Sequence, residues 1–151
     1  MKYLMKISYD GSKFYGFQRL NDLRTVQKEL EQALTKINKK EVLIKGAGRT
    51  DRGVHALNQG ISFDLDIEIK PERLKKAINS LIKPDVYCRE CVQVDSEFHA
   101  RFSVKKKIYR YKVNIGEFDP LKSDYYYQPE FKLNLEKMQE VANLFLGIHD
   151  F

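Results

Sequence analysis

The chain has 151 residues, 42% of them apolar and including nine Phe and nine Tyr, enough for one domain with a real hydrophobic core. No run of about 18 apolar residues is present to span a bilayer, and Met1-Lys2-Tyr3-Leu4-Met5 leads straight into an alternating pattern; neither a membrane anchor nor a secretory signal is expected, and a cytoplasmic setting is. The net charge of +6 is concentrated in one segment: Arg101, Lys105, Lys106, Lys107, Arg110 and Lys112 follow one another without an acid, while elsewhere basic and acidic residues balance.

Residues Lys2 to Tyr9 alternate, with Tyr3, Met5, Ile7 and Tyr9 on one side, and predict a first strand closed by an Asp10-Gly11-Ser12 turn. Thr25 suits the N-cap of a helix whose apolar residues Val26, Leu30, Ala33, Leu34 and Ile37 share a face. A second strand is predicted at Val42 to Lys45 and a third from Ile61 to Leu65. Pro71 opens a second helix, with Leu74, Ala77, Ile78, Leu81 and Ile82 on its apolar face and a stop near Pro84. Val86 to Val94 reads as a fourth strand. The order βαββαβ is that of an α+β, ferredoxin-like sheet with its helices on one face. Ile108 to Ile115 is expected to add a further strand, and Asn134 to cap a last helix bearing Leu135, Met138, Ala142, Phe145 and Leu146 and ended by Gly147. Glu117 to Lys132, polar and aromatic, carries no clear element signal.

Cys88 and Cys91 form a Cys-x-x-Cys inside the fourth strand, where positions three apart point to opposite faces, so neither a redox pair nor a zinc site is expected. The basic segment interleaves Phe102, Tyr109 and Tyr111 with its cations, a pattern that fits a polyanion-binding surface, RNA included, and equally a solvated strand edge.

The stretch from Gly46 to Gln59 joins two predicted strands and places one carboxylate, Asp51, between Arg49 and Arg52 on a glycine-rich loop. An arginine close to a carboxylate favours its ionised form, the form a nucleophile or general base needs. Two phosphate-loop readings fail. Gly48 and Gly53 have Walker A spacing, but Val54-His55 stands where Lys and Ser or Thr are required. Asp51 occupies the third glycine of a dinucleotide fingerprint and would repel a pyrophosphate. Taken alone, the four residues Arg49 to Arg52 fit a solvated surface ion pair as well as a site.

The run Gly48-Arg49-Thr50-Asp51-Arg52-Gly53-Val54-His55-Ala56 resembles the catalytic signature of the TruA-type tRNA pseudouridine synthases. Three further blocks resemble that family in the same order: Tyr9 to Gln18 with Thr25-Val26-Gln27; Phe98-His99-Ala100-Arg101-Phe102-Ser103 leading to Tyr109-Arg110-Tyr111; and Gly147-Ile148-His149-Asp150-Phe151. Phe17 stands where many members have Trp. The family continues past the last block into a second half, so the resemblance implies that residues 1–151 are a single N-terminal catalytic domain of the pseudouridine synthase fold, with the C-terminal half absent and turnover by this chain alone not expected.

The activity implied is isomerisation of uridine to pseudouridine at positions 38, 39 and 40 of the tRNA anticodon stem-loop, by a homodimer, without metal or other cofactor. The resemblance makes Asp51 the catalytic carboxylate and Tyr109 the active-site tyrosine that stacks on the uracil. Tyr109 by itself reads equally as the inner face of a strand. Arg49 and Arg101 match motif arginines suited to filling the space of a flipped base or binding phosphate, and Arg52, Lys105, Lys106, Lys107 and Arg110 join them as candidate RNA contacts. His55 and His99 lie in motif blocks and are read as structural. Two other readings remain open: a non-catalytic ferredoxin-like RNA-binding domain, although the aromatic pattern of an RNA-recognition motif is missing, and a carboxylate-based hydrolase or phosphotransferase, although neither a metal cluster nor a second close acid is evident.

Overall fold

A computed structural model describes residues 1–150. They divide into two compact units, Met1 to Lys107 and the segment from Ile108 onward.

The first unit is built on β1 (Lys2–Tyr9), α1 (Val26–Asn38), β2 (Lys45–Gly46), β3 (Ala56–Asp64), α2 (Pro71–Ile82) and β4 (Val86–Val94). The strands form one antiparallel sheet in the order β2-β3-β1-β4, the ferredoxin-like arrangement expected. Alternation in β1 is strict: Tyr3, Met5, Ile7 and Tyr9 are buried and the residues between them are not. They meet Val26, Leu30 and Leu34 of α1 and Leu74, Ile78 and Ile82 of α2 in a single core. Thr25 caps α1, its hydroxyl accepting the Lys28 amide. Pro84 forces Lys83 out of helical geometry and ends α2 at Ile82.

The predicted second strand is shorter than expected. Val42 and Ile44 are buried, but their amides do not join the sheet: Val42 donates to Thr35 Oγ1 at 3.1 Å and Ile44 to Glu31 Oε1 at 3.0 Å. Helix side chains therefore take the hydrogen bonds a neighbouring strand would have taken, and only Lys45 and Gly46 pair with β3. Glu31 itself is buried, and its other contacts are the Gln27 amide and the Arg19 guanidinium.

The two cysteines overturn the opposite-faces expectation. Opposite β1, Glu90 lies across from Lys6 and Cys88 across from Ile7, so Arg89 is an extra residue, a β-bulge. The bulge brings Cys88 and Cys91 to the same, core-facing side. Burial pushes the Cys88 thiol up to about 11 and the Cys91 thiol up to about 12, so both are held protonated in the core.

In the second unit the strand expected at Ile108 to Ile115 does not form. A single bridge joins Val113 to Tyr127, with the Asn114 amide donating to Tyr127 and the Tyr127 amide to Lys112. The alternating pattern has no buried face to serve, since no described residue of this unit is buried. Gln128 organises the connection read as featureless: its side chain accepts from the Asp119 amide and from Asn114 Nδ2, and donates to the Asp119 carbonyl, each at 2.9 Å. Asn134 caps α3 (Leu135–Asn143), which stops before Gly147.

Candidate active site

The loop between β2 and β3 carries Arg49, Asp51 and Arg52, and its shape is imposed from beneath by the chain that follows β1. Tyr9 ends β1 with its ring in the core and its hydroxyl at the loop, 2.8 Å from Thr50 Oγ1 and 2.9 Å from Gln59 Oε1. Gln59 in turn donates to the Gly48 carbonyl at 2.7 Å. Burial pushes the Tyr9 phenol up to about 12, against a smaller opposing effect of its Thr50 bond, so the hydroxyl stays protonated and available as a donor. The Phe17 amide donates to the Thr50 carbonyl at 2.9 Å, and Ala47 to Gly60 at 2.8 Å.

Two glycines are required by close approach. A Cβ on Gly11 would lie 2.1 Å from the Val54 carbonyl oxygen, and one on Gly46 would lie 2.7 Å from the Phe17 ring. Gly11 also donates its amide to His55 Nδ1 at 3.1 Å, and the same nitrogen lies 3.1 Å from Asp10 Oδ1. His55 is thus the pin at the far end of the loop, in keeping with its structural reading. Between these anchors the chain turns at Asp51 to Val54, the Val54 amide donating to the Asp51 carbonyl and Gly53 adopting φ +80.

Asp51 is left exposed on a loop whose backbone is held on both sides. The expected pairing with its neighbouring arginines is not made: among the described residues no ion pair joins Asp51 to Arg49 or Arg52. Arg52 instead lays its guanidinium over the Tyr15 ring, 4.6 Å from the centroid, and Arg49 points to solvent. The local reason is the turn itself, which gives adjacent residues different directions.

The other predicted residues are distributed. Arg101 is exposed on a tight turn in which Phe102 and Ser103 donate to the His99 carbonyl, Arg101 donates to His99 Nδ1, and the His99 and Phe102 rings lie 4.5 Å apart. The buried Ala100 fastens this turn to the sheet by donating its amide to Ser62 Oγ at 3.1 Å. Lys107 is brought to the loop, its ammonium 3.6 Å from where a Cβ on Gly48 would stand. Lys105 and Lys106 are exposed. Tyr109 and Arg110 belong to the second unit, where Tyr109 is 74% exposed and so is not core.

The side chains that hold the loop, Tyr9, Thr50 and Gln59, were not among the predicted site residues. Tyr9 reads as one more member of an alternating apolar face; the available signal was a polar-tipped aromatic at the end of a strand that leads into a motif.

The family profile described as tRNA pseudouridine synthase matches residues 5–103, which include the whole loop and all its anchors. The chain is 42% identical over 154 residues to tRNA pseudouridine synthase A of Limosilactobacillus reuteri (strain DSM 20016), covering 99% of this chain and 60% of the relative. It is 44% identical over 151 residues to tRNA pseudouridine synthase A of Pseudothermotoga lettingae, covering 99% and 62%. With tRNA pseudouridine synthase A of Anoxybacillus flavithermus it shares 46% over 146 residues, covering 96% and 59%. The chain thus spans about 60% of the length of these curated relatives. A match that runs through the Asp51 loop, the segment that cradles it and the sheet beneath both places this chain in the tRNA pseudouridine synthase family.

Proposed function

We propose that this chain is the N-terminal catalytic part of an enzyme that isomerises uridine to pseudouridine in tRNA, at positions 38, 39 and 40 of the anticodon stem-loop, acting in the cytoplasm as a homodimer. Asp51 is the catalytic carboxylate. The reaction breaks the C1′–N1 bond, turns the uracil and forms C1′–C5; C5 gives up its proton and N1 takes one up, so it is balanced without an external oxidant or reductant. It needs a carboxylate open to the nucleoside and a means of drawing the base from its stack.

The observation that carries this reading is the exposure of Asp51 on a loop whose backbone is hydrogen-bonded on both sides. A carboxylate with no ion pair among the described residues is open to a substrate, and a backbone held by Tyr9, Phe17 and His55 gives it one position from which to meet it. Arg49 and Arg101, both exposed, fit the role of holding the flipped nucleotide or its phosphates; Arg52, Lys105, Lys106, Lys107 and Arg110 supply charge for the RNA backbone. Tyr109 is the tyrosine that meets the uracil in the complete enzyme.

The test is tritium release from tRNA labelled at uridine C5, using the full-length protein and its Asp51→Asn variant. Release by the unsubstituted protein and none by the variant, with tRNA affinity kept within a few fold, is expected. Appreciable release from the variant would remove Asp51 from its role, and tRNA binding without any release would leave a non-catalytic RNA-binding domain.

A further inference from the structure

We propose that Tyr15, with Arg52 laid across it, is a stacking seat for an unpaired nucleobase next to Asp51. The nature of the ligand rests on the tRNA reading above; the seat rests on the geometry of the loop.

Tyr15 lies between two aromatics that the core has consumed. Phe14 is 2% exposed and Phe17 3%, whereas Tyr15 is 44% exposed. Its hydroxyl makes no hydrogen bond to another described residue, so no polar contact explains its position on the surface. Its backbone is nonetheless tied on both sides: the Tyr15 amide donates to the Arg24 carbonyl at 2.9 Å, and Gly16, at φ +95, packs so close that a Cβ there would lie 3.0 Å from the Thr50 carbonyl oxygen and 3.4 Å from the Asp51 carbonyl carbon. The ring is therefore carried by the same backbone contact that positions Asp51.

The Arg52 guanidinium covers this ring at 4.6 Å from its centroid. A guanidinium so placed is flat and cationic, a plane on which a base stacks while its N–H edge remains free for phosphate. A surface cation–π contact made only for folding adds little and would not need its backbone fixed to the reactive loop. An unpaired base beside the target nucleotide is the group whose size and flatness fit the seat, because extruding one nucleotide from a loop leaves its neighbours in need of new stacking partners.

The experiment uses an anticodon stem-loop hairpin carrying 2-aminopurine, whose emission falls on stacking, at each unpaired loop position in turn. It is titrated with this chain and with Tyr15→Phe, Tyr15→Leu and Arg52→Gln. Quenching at a loop position is expected with the unsubstituted chain and with Tyr15→Phe. In Tyr15→Leu and Arg52→Gln the quenching is expected to weaken, with hairpin affinity falling roughly 5- to 100-fold in Tyr15→Leu, while the melting temperature stays close to that of the parent. Undiminished quenching and affinity in Tyr15→Leu would overturn the seat, as would no quenching at any position by the unsubstituted chain. Tritium release by the full-length protein reports separately on the reaction: release without quenching overturns the seat alone, and quenching without release overturns the isomerase reading alone.

Discussion

The hydroxyl of Tyr9 lies 2.8 Å from Thr50 Oγ1, which ties the end of the central strand to the residue immediately before Asp51. Because the same hydroxyl also reaches Gln59, and Gln59 reaches the Gly48 carbonyl, one phenol organises both limbs of the loop. In Tyr9→Phe the ring still fills its place in the core but the loop loses its tie. We expect a stability loss of roughly 1–3 kcal/mol, because Thr50 and Gln59 lose their partner, and a fall in kcat that exceeds any change in KM for tRNA. Denaturant unfolding of this chain and steady-state tritium release by the full-length protein check this. Unchanged kcat would show that the loop holds its shape without Tyr9.

Gly11 and Gly53 separate two ways in which a glycine serves the loop. Gly11→Ala drives a methyl into the Val54 carbonyl, 2.1 Å away, so the first turn and the loop must part. Overpacking of this kind costs roughly 1–3 kcal/mol, and loss of turnover is expected with it. Gly53→Ala meets nothing within 4 Å and feels only the strain of φ +80, about 1–2 kcal/mol. Thermal melts of both variants, beside their activities, test the contrast; equal loss of activity at equal stability would contradict it.

Stability should fall on the alkaline side. Cys88, Cys91 and Tyr9 are all raised by burial, the thiols to about 11 and about 12 and the phenol to about 12, from ordinary values of 9.0 and 10.0. Each group keeps its proton longer in the folded state than in the unfolded one, so the stabilisation is complete below the ordinary value and is lost as pH rises through the folded one. Melting temperature should hold to about pH 9, the ordinary thiol value, and decline above it. A Cys88→Ala, Cys91→Ala variant should start from a lower melting temperature and begin its pH decline later, near the tyrosine range. A flat profile through pH 11 in the parent chain would refute the argument.

The lysine run makes a prediction about salt. Neutralising Lys105, Lys106 and Lys107 should weaken binding to all tRNAs alike, since phosphate contacts position the RNA without reading its sequence. Each lost contact should flatten the slope of log affinity against log salt by ~0.7–0.9. Lys107, drawn in over Gly48, is expected to differ from the other two by lowering turnover as well. An unchanged slope would return the run to a solvated surface.

What could be read along the chain was what is local. The caps at Thr25 and Asn134, the Pro71 start, the spacing of Leu30, Leu34, Leu74 and Ile78 and the alternation of β1 depend on residues a few positions apart, and each stands in the structure. The Asp51 loop could be located because its residues are contiguous. What the sequence could not show depends on partners far along the chain. The Glu31 carboxylate takes a hydrogen bond from Ile44 and so shortens β2; the extra residue at Arg89 turns two cysteines to one face; the Arg52 guanidinium lies over the Tyr15 ring. The Ile108 to Ile115 pattern shows the same dependence from the other side, since alternation makes a strand only where a second strand and a buried face exist to receive it. Residue types and spacing determined which groups this protein carries to its site; only the packing of β1, the turn after it and the β2–β3 loop against one another decided that Asp51 stands exposed on a fixed backbone, because hydrogen bonds such as Tyr9 to Thr50 exist only once distant segments are brought together.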